Sequence, residues 1–126
     1  MCDKDYIFNI LDDHFSNEMM MDCIKRKDER HYSDKYFYMI FIHSDNILRI
    51  LMRNHNGNLF SKNFKMDDIN VQINYNGSSD SKKSMIDFIK RAVYINSGDQ
   101  SKMMLTEWYL IKKVELRDKK ISDLGI

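Results

Sequence analysis

Four histidines, His14, His31, His43 and His55, are the side chains best suited to acid–base or metal chemistry near neutral pH. Either task needs a second group close by. A base needs a partner that orients it, and a metal needs further thiolate, imidazole or carboxylate ligands. His14 and Cys23 are nine positions apart on what reads as one helix. That spacing separates them by more than two turns, too far for one ion. His31 falls in a polar connector, and His55 in or beside a turn. The chain contains neither an HExxH sequence nor a paired-cysteine metal spacing. His43 is the one imidazole on an apolar face. It stands at a strand end, where its polar edge can reach solvent or turn backbone, so it is expected to be a core-edge residue.

The carboxylates Asp12 with Asp13, Asp67 with Asp68, and Glu107 are the remaining metal candidates. Adjacent acids on a helix point in different directions, and each pair also suits a solvated surface. "NGSSDSKK" holds one glycine before a helix start, a weak anion site and no phosphate-cradling loop. No nucleophile elbow occurs. The expectation is therefore no catalytic, metal-binding or cofactor-binding residue, with a hydrolase or nuclease of unfamiliar site kept only as a third reading.

Binding residues are easier to name. Lys82, Lys83, Lys90 and Arg91 lie on an expected second helix, and Lys112 and Lys113 on the last element, with Lys119 and Lys120 after it. With Arg49, Arg53 and Tyr38 on the outer side of a hairpin, these could hold phosphates and stack bases. Interleaved Asp80, Asp87, Glu115 and Asp118 argue instead for an ordinary solvated surface. Met19, Met20 and Met21 form a second candidate patch, since methionine adapts to irregular protein partners.

The elements that position these residues follow from periodicity. Phe8, Leu11, Phe15 and Met19 form a helical stripe between Asp3 and Lys27, with acids at its start and Lys25, Arg26 and Lys27 at its end. "KRKDERHYSD" reads as a connector. Tyr36 to His43 and Ile47 to Asn54 read as paired strands around an Asp45-Asn46 turn, although a helix over residues 45–54, capped by Ser44, competes. The strand pairing puts Phe41 opposite Ile50, Met39 opposite Met52 and His43 opposite Leu48. Ile42 with Arg49 and Tyr38 with Arg53 then share the other side. Asn56-Gly57 is a hairpin signal leading to a third strand, Asn58 to Lys65. Ile69, Val71, Ile73 and Tyr75 alternate as a fourth strand. Ser79 to Ser81 caps a second helix carrying Met85, Ile86, Ile89 and Val93. Met103 to Leu116 is taken as a final strand on its β-branched and aromatic content. A helix through Leu105, Trp108 and Ile111 is the competing pattern. The fold expected is α+β, ordered α–β4–α–β, in a single domain over residues 1–126. Its core should join Phe37, Met39, Phe41, Ile50 and Met52 to Phe8, Leu11, Phe15, Ile86, Ile89 and Trp108.

Bulk properties set the functional class. The net charge of +1 announces no strong electrostatic partner. Two cysteines without a pairing pattern favour a reducing compartment. The acidic N-terminus is unlike a signal peptide. The longest apolar run, Tyr36 to Ile42, is far short of the roughly 20 residues of a membrane span. Phe, Tyr, Met, Ile, Asn and Lys make up about half of the chain, which points to an AT-rich genome. The reading is a small, cytoplasmic, non-enzymatic interaction protein. A phage or viral accessory factor that binds a host protein in the host cytosol fits it best. A nucleic-acid-binding regulator is the alternative, no membrane partner is expected, and a homodimer is a further option.

Overall fold

The computed structural model describes residues 4–54, 59–75, 81–96 and 108–119. His55, the Asn56-Gly57 turn, Ser79, Glu107, Lys120 and the first residues of the expected last strand lie outside them. Helix α1 (Lys4–Leu11) buries Ile7, Phe8, Ile10 and Leu11. It continues into a π-helical segment (Asp12–Glu18) that buries Phe15. The segment closes at Met20, whose φ of 57° is a left-handed state that favours glycine. The Met19 amide closes the last π-type turn on the His14 carbonyl, and the Met20 state turns the Met21 amide back onto the Phe15 carbonyl, both at 2.9 Å.

The helix thus ends well before Lys27, and the sequence beyond it is sheet. Strand β1 (Asp22–Arg26) pairs with β2 (Glu29–Ser33), which pairs with β3 (Phe37–Ser44). Strand β4 (Ile47–Asn54) and β5 (Leu59–Lys65) complete an antiparallel meander in chain order. The expected β3–β4 register is the observed one, with Phe41 opposite Ile50, Met39 opposite Met52 and Tyr38 opposite Arg53. Asp45 and Asn46 take φ of 49° and 61°, the two positive values that a tight type I′ turn demands. Five strands therefore stand where four were expected, and two of them replace the polar connector and the end of the helix.

The expected fourth strand is instead helix α2 (Met66–Tyr75). Met66 and Ile69, three apart, are buried, whereas Val71 is 61% exposed. Asp67 and Asp68 fall in the first turn, where acids complement the dipole. The Met66 amide is held by the Asn46 carbonyl at 2.9 Å, which starts the helix against the β3–β4 turn. Helix α3 (Ser81–Asn96) is the expected second helix. Residues 108–119, expected as the rest of a strand, form helix α4. Its inward residues Trp108, Tyr109, Lys112 and Leu116 follow a helical stripe. Lys112, the exception to the strand pattern, is buried there in an ion pair.

The core lies between the helices and one side of the sheet. Met39, Phe41, Ile50 and Met52 meet Phe8, Leu11, Phe15, Ile86, Ile89 and Trp108 in one buried cluster. Every helix described contributes to that cluster, so all the helices sit on the same side of the meander.

Candidate interaction surface

Two polar clusters carry the groups most capable of chemistry. In the first, the Asp12 carboxylate accepts from the Tyr32 hydroxyl at 2.6 Å and from Arg30 Nε at 3.2 Å. Lys25 Nζ stands 3.7 Å away and the Cys23 thiol 3.8 Å away. Arg30 also donates to the carbonyls of Arg26 and Glu29 and stacks 4.5 Å above the Phe8 ring. These partners fill both oxygens of a mostly buried acid. Burial first, and the Asp12 charge second, push the Cys23 thiol up, the reverse of what a nucleophilic thiolate needs. Cys23 lies on β1 and His14 on the π-helical segment, so the two do not share a helix.

In the second cluster, His14 Nδ1 lies 3.1 Å from Glu18 and its Nε2 lies 3.0 Å from the Tyr109 hydroxyl. A carboxylate only accepts, so Nδ1–H donates to Glu18, and in the neutral tautomer that this fixes Nε2 would accept from Tyr109. Lys90 sits 4.4 Å over the Tyr109 ring. The order carboxylate, imidazole, hydroxyl has the form of an activated nucleophile. Its electrostatics run the other way, because burial first, then the charges of Asp87 and Glu18, push the Tyr109 phenol up. The chain ties the π-helical segment to α4. Among the described residues no group of three or more His, Cys, Asp or Glu could hold a metal ion.

Tyr32 is raised as well, by burial first and then by its bond to Asp12. Both phenols ordinarily titrate near 10.0. With the folded values raised, the stabilisation is complete below pH 10 and is lost as pH climbs above it. Each of these phenols then costs about 1.4 kcal/mol of stability per pH unit. Alkaline titration followed by tyrosinate absorbance is expected to show at least two of the seven tyrosines ionising only with cooperative unfolding. Gradual ionisation of all seven in the folded protein would contradict this account.

The third feature is the side of the sheet that faces away from the helices. Residues paired across neighbouring strands share a side, and the register sets them in rows. One row runs Ile24, His31, Ile40, Leu51 and Ser61. The next runs Arg26, Glu29, Ile42, Arg49 and Asn63, and another runs Asp22, Ser33, Tyr38 and Arg53. Ile24 is 58% exposed, Arg49 and Arg53 are exposed, and Ile40, Ile42 and Leu51 are half-buried. The Arg53 guanidinium sits 5.9 Å over the Tyr38 ring, and the Tyr38 hydroxyl is 2.8 Å from His31 Nδ1. His31 Nε2 is buried without a hydrogen bond, 3.8 Å from Glu29. Among the described residues Arg49 has no ion-pair partner. The face is apolar at its centre and carries Tyr and Arg, the side chains enriched at protein contacts.

Tyr38, Arg49 and Arg53 stand together on this face, as their strand pairing requires. The structure does not join the helical cations to them. Lys83, Lys90, Arg91 and Lys113 are exposed on helices packed against the opposite side of the sheet, and Lys112 is buried. Lys82 lies in the first turn of α3. Within the Met19–Met21 patch, Met19 and Met21 are in the core and Met20 is exposed, with Lys119 Nζ 3.4 Å from its sulfur. Ile24, Glu29 and His31 join the face unforeseen, because β1 and β2 were hidden. Fold and face together define an α+β protein with a five-stranded antiparallel sheet covered by helices on one side. No family model, curated protein or solved structure matches the chain. No helix among the described residues is long and apolar enough to cross a membrane.

Proposed function

We propose that the chain is a small non-enzymatic interaction protein that works in the cytosol by binding another protein, as a phage or viral accessory factor binds a host protein. Its contact surface is the open side of the sheet. The observation that carries this reading is the row Ile24, His31, Ile40 and Leu51, an apolar centre with no described helix over it. Tyr38, Arg49 and Arg53 beside it supply the anchors. The separation of the helical lysines from Arg49 and Arg53 weakens the nucleic-acid alternative, which needs a continuous cationic track.

The double substitution Arg49→Glu with Arg53→Glu tests the surface. Both side chains are exposed, so stability should change by less than about 0.5 kcal/mol. Proteins captured from host extract by the immobilised chain should be lost, about tenfold or more in yield. Nuclease treatment of the extract should leave capture by the unaltered chain unchanged. Capture that survives the double substitution removes this face from consideration, and capture that vanishes with nuclease replaces the protein partner by nucleic acid.

A further inference from the structure

In the row through Arg26, Glu29, Ile42, Arg49 and Asn63, the two residues flanking the central strand carry opposite charges. Ile42 on β3 is the middle residue, the Glu29 carboxylate is one strand to one side, and the Arg49 guanidinium is one strand to the other. We infer that in the free protein the open face is covered by a second copy of this chain, related by a two-fold axis that runs along β3 between the two sheets. The inference rests on the proposed contact face and names its resting occupant.

The geometry follows from the register alone. Such an axis lays β3 over its own copy and β2 over β4 of the second copy, with no slip along the strands. Glu29 then meets Arg49 of the second copy, and Arg49 meets its Glu29, so one contact is made twice, as an isologous interface requires. Ile40, Ile42 and Tyr38 meet their own counterparts at the centre, where sheets stacked at their natural small angle coincide best. Within one chain Glu29 and Arg49 are two strands apart, roughly 10 Å between backbones, and no ion pair joins them. A second copy supplies Arg49 with the ion-pair partner it lacks among the described residues, and gives Glu29, which stands 3.8 Å from His31 Nε2 on its own strand, a permanently charged one. Strand spacing and rise give the face a footprint of roughly 500 Å². Two copies would bury about 1,000 Å² in total, the low end for a specific interface. The dimer is accordingly weak and exchangeable, and a host protein gains the face by replacing the second copy.

Sedimentation of the full chain across the micromolar range tests this. The unaltered chain should show a reversible monomer–dimer equilibrium. Glu29→Arg alone and Arg49→Glu alone should each dimerise about tenfold or more weakly, since like charges then oppose each other twice. Circular dichroism and thermal unfolding of both should match the unaltered chain. Mixed in equal amounts, the two variants should form a heterodimer, because each then presents the charge the other needs at both contacts. A chain that stays monomeric throughout overturns the second copy as occupant. So does a dimer that ignores both reversals, or a mixture that stays as monomeric as its components. The proposed face is judged separately, by protein capture in the Arg49, Arg53 double variant, so the two ideas can fail independently.

Discussion

Replacing Phe15 with alanine is expected to lower stability by about 3–5 kcal/mol, a large part of the 5–15 kcal/mol typical of a whole domain. Phe15 is fully buried. Its ring centroid lies 5.5 Å from Tyr32, 5.9 Å from Phe41 and 6.2 Å from Trp108. These neighbours come from β2, β3 and α4, so one side chain from the π-helical segment joins three elements that are distant in sequence. Deleting the ring removes its transfer free energy and leaves a cavity that aromatic neighbours fixed on a sheet cannot collapse to fill. Urea unfolding measures the loss, with Ile24→Ala as the comparison. Ile24 is mostly exposed on the open face, so that substitution should cost less than about 0.5 kcal/mol. A Phe15→Ala cost below about 1.5 kcal/mol would show that the ring is not the hub its position implies.

The β3–β4 hairpin was readable because its signals agree at every level. Its inward residues are apolar, its outward residues mixed, and Asp45-Asn46 tolerates the left-handed backbone of the turn. The β1–β2 hairpin has the same period but none of that contrast. Its inward residues are Cys23, Lys25, Arg30 and Tyr32, polar or charged types that gather around the Asp12 carboxylate while Tyr32 and Arg30 also pack on core rings. Burial scarcely alternates along these two strands, where only Tyr32 is fully buried, and alternation of hydrophobicity is absent. For α2 the pattern misled in the opposite direction. Ile69 and Val71 alternate with polar residues as a strand would, but β-branched residues follow their packing surroundings, and only Ile69 reaches the core. The open face inherits this division. Tyr38, Arg49 and Arg53 were visible because their strands were, whereas Glu29 and His31 needed a second hairpin that the charges concealed.

Helix α4 was lost to the sequence for the same reason, and its attachment gives the second large expected effect. Asp34→Ala should cost about 2–4 kcal/mol and loosen α4 from the sheet. Asp34 lies between β2 and β3. It accepts from Trp108 Nε1 at 2.8 Å and from the Tyr36 amide at 2.8 Å, and its Oδ2 is 3.5 Å from Lys112 Nζ. Lys112 is only 5% exposed. Without Asp34 it keeps Glu115 at 3.9 Å, a carboxylate also engaged by the Tyr36 hydroxyl and Lys35. Much of the cost is therefore a buried cation left short of charge, which predicts a specific rescue. Lys112→Met in the Asp34→Ala background should recover part of the loss, because the methionine needs no counter-ion. Trp108 is the only tryptophan, so its fluorescence reports the docking of α4 directly. Asp34→Ala should shift its emission to the red in the native baseline and lower the urea midpoint, and the double variant should restore the midpoint in part. If the two substitutions prove strictly additive, the ion pair is not what the buried lysine depends on, and α4 is held by its apolar stripe alone.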